Sequence, residues 1–169
     1  ETVLYVASYD GGFVARFSTD SWRETARFSR PPAAMRHLAL SRDNTRLFVS
    51  DMLKGVVFEL AATDLSLRYT YRVFTHPNTI ALTADDRFLF VSCRGPNNPV
   101  HYTLRSPENG RVLVFDTVSK KEVASIKGGN QPTGLDVSTD NRWLVFSNFL
   151  DADFEMYDLE GLYGNQSDN

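Results

Sequence analysis

Three segments of the chain repeat one order of apolar and polar positions: "LALSRDNTRLFVS" from Leu38, "IALTADDRFLFVS" from Ile80 and "LDVSTDNRWLVFS" from Leu135. Each is a short apolar run, a polar turn with Asp and a second apolar run, the pattern of a β-hairpin. Asp and Asn side chains bond nearby backbone and tolerate unusual dihedrals, which assigns Asp43, Asp85, Asp86 and Asp140 to turn formation rather than catalysis. The runs "RLFVS", "FLFVS" and "WLVFS" are nearly continuous, as strands covered on both faces are.

Ser41 and Thr83 lie 42 positions apart, Thr83 and Ser138 55 apart. A period of roughly 40 to 45 residues built from short strands, with no convincing run of helical period, predicts β-propeller blades. With strands named A to D from the axis outward, the second blade has A at 37–41, B at 46–50, C at 55–61 and D at 66–73. The third has A at 79–83, B at 87–92, C at 110–116 and D at 121–127. The first has B, C and D at 3–8, 12–18 and 22–28; the last has A, B and C at 133–138, 142–147 and 153–158. Outer strands such as "RETARFS" and "KEVASIK" carry charge, as sheet edges that must avoid pairing do.

The expected class is therefore all-β: about three and a half blades, each a four-stranded antiparallel sheet, with boundaries near 2–35, 36–77, 78–131 and 132–160. Residues 1–163 form the propeller segment and 164–169 a polar tail. Joining these ends would put six strands in one blade, and closed rings typically hold four or more blades. The chain is thus expected to be part of a larger, about seven-bladed propeller, its partners being the missing blades or another chain.

The segments "LYVASYDGGFVARFSTD", "RLFVSDMLKGVVFELAATDLSL" and "GRVLVFDTVSKKEVASIKGGNQPTGLDVSTDNRWLVFSN" resemble the YVTN-type, lactonase-like or surface-layer-type β-propeller repeat family over about residues 2–160. The resemblance implies repeat residues that are mostly architectural and, on its own account, a secreted, periplasmic or cell-surface location. It is specific for fold and weak for function. The family's usual Pro-Asp-Gly turn is here Arg42-Asp43-Asn44, Ala84-Asp85-Asp86 and Thr139-Asp140-Asn141, so a different turn geometry is expected.

Composition narrows the partners. Eighteen basic against 21 acidic residues give a net charge of -3, without the broad basic field that nucleic acid requires. No apolar stretch approaches the roughly 18 to 20 residues that span a bilayer, so no membrane insertion is expected. The single cysteine, Cys93, permits no internal disulfide and reads as a small buried hydrophobe. "NQS" at Asn165 fits a glycosylation sequon.

Propeller topology gathers the D-to-A and B-to-C connections on one face, where ligands are expected. That face receives Met35, Arg36, Asp10, Asp51 and Asp151, and the ligand-face candidates His37, His76, Asn78, Arg94, His101, Tyr102, Arg105, Asn130 and Gln131. The extra length of the third repeat falls in a B-to-C loop, residues 93–111. It is either a recognition element or a cap whose Val100, Tyr102 and Leu104 pack down. The three histidines come from different loops and either bond loop backbone or converge as bases or metal ligands. Asp151, Asp153 and Glu155 have the alternation of an exposed strand face. Nucleophile elbows, phosphate loops, dinucleotide fingerprints and zinc-type cysteine pairs are missing from the sequence, so no catalytic residue, metal or cofactor is assigned.

Three functions follow in order. The first is a non-catalytic binding or scaffold module for a protein, glycan or small ligand. The second is a lactonase-like hydrolase using His and Arg on the ligand face, and the third a propeller subunit associated with a redox enzyme.

Overall fold

The computed structural model describes residues 2–164. Among them, fourteen strands form four antiparallel meanders of three, four, four and three strands. The first contains β1 (Val3–Ser8), β2 (Phe13–Ser18) and β3 (Glu24–Ser29). The second contains β4 (Met35–Leu40), β5 (Arg46–Asp51), β6 (Val56–Ala61) and β7 (Leu67–Arg72). The third contains β8 (Pro77–Leu82), β9 (Phe88–Cys93), β10 (Arg111–Asp116) and β11 (Glu122–Lys127). The last contains β12 (Pro132–Val137), β13 (Trp143–Asn148) and β14 (Asp153–Asp158), followed by the short helix α1 (Glu160–Gly164). The expected blades and strand count are thus observed. The polar tail lies, apart from Gly164, outside the described residues, as does the Asn165 sequon.

Side chains along the B and C strands alternate between two neighbours. Leu47 and Val49 of β5 join Val14, Phe28 and Phe58 between the first and second sheets. Phe48, between them in sequence, points the other way, to Leu89 and Val91 of the third sheet. β9 repeats the division, sending Phe88 and Phe90 to Leu144 and Phe146 of the last sheet. Strands buried on both faces explain the continuous apolar runs, and each large side chain so buried contributes about 1.5 to 3 kcal/mol.

The inner strands begin one or two residues earlier than the sequence pattern indicates, which places Met35, Arg36, Pro77 and Asn78 inside strands rather than in connections. The cause is a bulge in each inner strand, between Met35 and Leu38, Pro77 and Ile80, and Pro132 and Leu135. The serine of each "FVS" or "VFS" run accepts the amide that the bulge displaces: His37 N–H donates to Ser50 Oγ (3.1 Å), Thr79 N–H to Ser92 Oγ (3.0 Å) and Gly134 N–H to Ser147 Oγ (3.0 Å). Ser50 and Ser92 donate onward to the next blade, to the carbonyls of Asn78 (2.7 Å) and Thr133 (2.8 Å).

The opposite ends of the inner strands carry the repeated turn. Ser41 and Thr83 hydroxyls donate to Asp43 (2.6 Å) and Asp85 (2.5 Å), and Ser138 repeats this with Asp140. The Ser41 hydroxyl first, then the Thr45 N–H, hold the Asp43 carboxyl down at about 2. Asn44, Asp86 and Asn141 occupy the place of the usual glycine with φ of 57°, 59° and 62°, values that Asn and Asp accept more readily than other side-chain residues. Two of them also link blades: Arg42 N–H donates to Asp86 Oδ2 (2.8 Å) and Ala84 N–H to Asn141 Oδ1 (2.6 Å).

A buried ionic contact joins the second and third sheets. Glu59, only 3% exposed, accepts from Tyr71 Oη (2.7 Å) and from Lys120 Nζ (2.5 Å). Burial, and then the adjacent carboxylate, drive the Tyr71 phenol far above its ordinary range. Removing a partner from a buried charge is costly, and Lys120 is itself partly exposed. Lys120→Ala should therefore lower stability in denaturant unfolding by about 2 to 3 kcal/mol, and adding Glu59→Gln should restore at least half of that loss.

Candidate functional site

The first residue of each B-to-C loop follows the end of a B strand: Tyr9, Met52, Arg94 and Phe149 hold one register position. The amides of the last three tie them to the connections that enter the inner strands, Met52 N–H to the Ala34 carbonyl (2.9 Å), Arg94 to His76 (3.1 Å) and Phe149 to Gln131 (3.0 Å). The repeat thereby brings loops from three blades together. Tyr9, Met52 and Arg94, with Arg36, His76 and Tyr102, line a cleft of about 730 Å³, a size that suits a small organic ligand.

Buried amides fix its polar groups. Arg94 donates through Nε to Gln131 Oε1 (3.1 Å) and through Nη2 to the same oxygen. Gln131, fully buried, donates in turn to the Tyr102 carbonyl (2.8 Å) and Ser106 Oγ (3.1 Å). Asn130, 1% exposed, accepts from Ser106 N–H (2.9 Å) and donates to the Ser106 carbonyl (3.2 Å). These two side chains anchor the long loop from below rather than facing a ligand. Arg36 donates through Nε to Asn78 Oδ1 (3.0 Å). The guanidinium carbons of Arg36 and Arg94 lie 5.9 and 5.8 Å from the ring centres of Tyr9 and Tyr102. Burial, then the charge of Arg36, lower the Arg94 pKa from its ordinary value.

The long loop does not pack down as a cap: Val100 is 82% exposed, and Tyr102 and Leu104 are about half exposed. Arg105 forms an ion pair with Asp151, whose carboxyl the Asn130 N–H and Arg105 hold below its usual range against the opposing effect of burial. Only one of the three histidines lines the cleft. His76 Nδ1 is tied to the Gly95 carbonyl (2.8 Å). His37 borders a separate groove reaching towards Arg42 and Asp86, with Nδ1 accepting from Ile80 N–H (3.4 Å). Burial first, and then Arg36, lower its pKa. His101 stands in the exposed loop against its own Thr103. Among the described residues no group of three or more His, Cys, Asp or Glu is placed to hold a metal ion. Burial pushes the Cys93 thiol up to about 12, keeping it protonated.

Sequence patterning brought Arg94, His76 and Tyr102 together and missed Tyr9 and Asn97, which also line the cleft. Tyr9 was detectable, because it aligns with Met52 and Arg94 in the repeat. Asn97 lies inside the insertion, where the repeat offers no register.

Four radially stacked meanders of this kind, with a cleft at the loop end of the inner strands, define a β-propeller-type all-β protein. Antigen Lp49 of Leptospira interrogans serogroup Icterohaemorrhagiae serovar copenhageni (strain Fiocruz L1-130) is 36% identical over 166 residues, covering 94% of this chain and 36% of that protein. The chain thus spans about a third of the length of this curated relative. Hydrazine synthase of Kuenenia stuttgartiensis matches with a TM-score of 0.78 at 17% identity, over 95% of this chain and 44% of that one. A functionally unknown protein from Desulfotomaculum acetoxidans DSM 771 matches at 0.76 and 13% identity, over 92% and 46%. At these identities the structural likeness establishes the fold alone. No protein-family model matches the chain.

Gln131 connects Arg94 to the long loop, and leucine retains its Cβ while removing both polar ends. Gln131→Leu should speed proteolytic cleavage within residues 94–110 several-fold while shifting the unfolding free energy by only about 1 to 3 kcal/mol.

Proposed function

We propose that the chain is a non-catalytic binding module of a β-propeller, of YVTN type by its repeat, that takes its ligand in the cleft between the loops of three blades. The observation that carries this reading is the preorganisation of the cleft. Arg36 and Arg94 are each held by a buried amide side chain, and Tyr9 and Tyr102 stand beside them as open aromatic walls. Fixed polar groups with exposed aromatic surface suit recognition, because little ordering is left to be done on binding. A lactonase-like hydrolase would draw on His76 and Arg94; the positions of His37 and His101 outside the cleft favour binding instead.

A secreted, periplasmic or cell-surface location accords with a relative described as an antigen. Among the described residues no helix is long and apolar enough to cross a membrane. The chain is also read as part of a larger, about seven-bladed ring. Leu4 and Val6 at one end and Phe154 and Met156 at the other leave exposed apolar surface for further blades, and the matched proteins are longer than this chain.

Chemical-shift mapping with a library of small polar and aromatic fragments tests the binding site. Hits are expected to move the amides of Tyr9, Arg94 and Tyr102. Hits that instead cluster around the turns of Asp43, Asp85 and Asp140, or a library without hits, would contradict the assignment.

A further inference from the structure

The two arginines of the cleft are bonded to amides rather than to carboxylates. Arg27, Arg87, Arg105, Arg111 and Arg142 each have a carboxylate partner. Arg36 and Arg94 have amide partners instead, Asn78 and Gln131, and no carboxylate partner among the described residues. Arg36 is near enough for its charge to help lower the Arg94 pKa, after the larger effect of burial. An acid does line the cleft, Asp10, which is exposed. Another, Asp51, is fully buried behind it and accepts through Oδ1 from the amides of Ala34 (2.9 Å), Leu53 (3.1 Å) and Lys54 (3.2 Å). Two like charges held near one another by neutral amides favour an anion supplied from outside.

Of the buried polar atoms without a partner, Asn78 Nδ2 and Asp51 Oδ2 belong to residues behind the cleft and Asn97 Oδ1 to its lining. Asn78 is 3% exposed and its Oδ1 is bound to Arg36, yet its buried Nδ2 has no hydrogen-bond partner. Asn78 is not part of the cleft lining, so its role there is to hold Arg36 from behind. Asn97 lines the cleft, and its buried Oδ1 likewise has no partner. That oxygen can only accept, so it calls for a hydroxyl or N–H on the ligand. Buried polar atoms are nearly always satisfied, and unsatisfied ones in a cleft point to what the cleft is made to hold. Tyr9 and Tyr102, 44% and 49% exposed, offer flat surfaces on which a ring can lie.

Resting on the assignment of this cleft as the binding site, we propose that its ligand is a hydroxylated carboxylate of the sugar-acid class. The carboxylate is taken by the free nitrogens of Arg36 and Arg94. A ring hydroxyl donates to Asn97 Oδ1, and the ring face rests on tyrosine. Arginine holds the charge at this point through planar, paired donors, a geometry that lysine does not offer.

Titration calorimetry of the full chain with D-glucuronate, its neutral counterpart D-glucuronamide and inorganic phosphate tests the proposal. Glucuronate should bind with millimolar affinity or better. Glucuronamide should bind at least tenfold more weakly, and phosphate should neither match glucuronate nor displace it. Arg36→Gln alters an exposed side chain that also serves the buried Asn78 Oδ1, and should weaken glucuronate about tenfold with the fold retained by circular dichroism. Arg94→Lys keeps the charge and should still weaken it several-fold, while Asn97→Ala should reduce affinity for glucuronate and leave phosphate unaffected. Equal binding of glucuronamide would overturn the anionic class. Phosphate binding as tightly as glucuronate would overturn the sugar-acid class. Failure of glucuronate alongside fragment hits in the cleft would overturn this proposal and leave the binding site standing. An absence of both would remove the binding site as well.

Discussion

The structure depends on the burial of its middle strands from both sides. β5, β6, β9 and β10 each send alternate side chains into two clusters, so no sheet covers its apolar surface alone. A flat sheet needs one partner, whereas these strands need two, and stacking side by side about an axis follows. Once the stack exists, its two rims are chemically distinct: one bears the compact hairpin turns, the other the variable loops.

Packing gives the blades affinity for each other, and the repeated polar residues set their register. The serine at the end of each B strand fills a bulge in the inner strand of its own blade, and in two blades it then reaches the inner strand of the next. At the other rim, Asp86 and Asn141 serve a tight turn and accept an amide from the preceding blade. The turn sequence therefore departs from Asp-Gly with a gain, since glycine would take the φ but offer no acceptor. Lys120, also at a positive φ, extends the same principle by placing its ammonium against a buried carboxylate one blade away. Architecture uses up the recurrent polar residues and leaves the cleft to the non-recurrent ones.

That division explains what the sequence revealed. Blade number, strand number and most strand limits were legible because two-sided burial writes a continuous apolar run and the turn writes Ser/Thr-x-Asp. The inner-strand starts at Met35, Pro77 and Pro132 were not, because a bulge breaks the period and its repair by a serine hydroxyl leaves no local pattern. Half of the cleft was legible for the same reason as the blades: Arg94 and His76 stand at fixed register positions, and Tyr9 shares one of them. Asn130 and Gln131, expected to face a ligand, are buried anchors of the long loop, a distinction that depends on burial. The groove occupied by His37 and the isolation of His101 depend on side-chain direction, which residue spacing does not carry.

The central claim is that the recurring turn joins neighbouring blades independently of the cleft at the opposite rim. Amide hydrogen exchange at Ala84 in Asn141→Gly tests it most directly, because glycine keeps the φ of 62° and removes only the accepting amide. The account predicts exchange at Ala84 faster by about tenfold or more, with the hairpin amide of Ser138 still protected and the amides of Arg94 and Tyr102 unaltered. Unchanged protection at Ala84, or exchange that accelerates at Arg94 and Tyr102 as well, would contradict it.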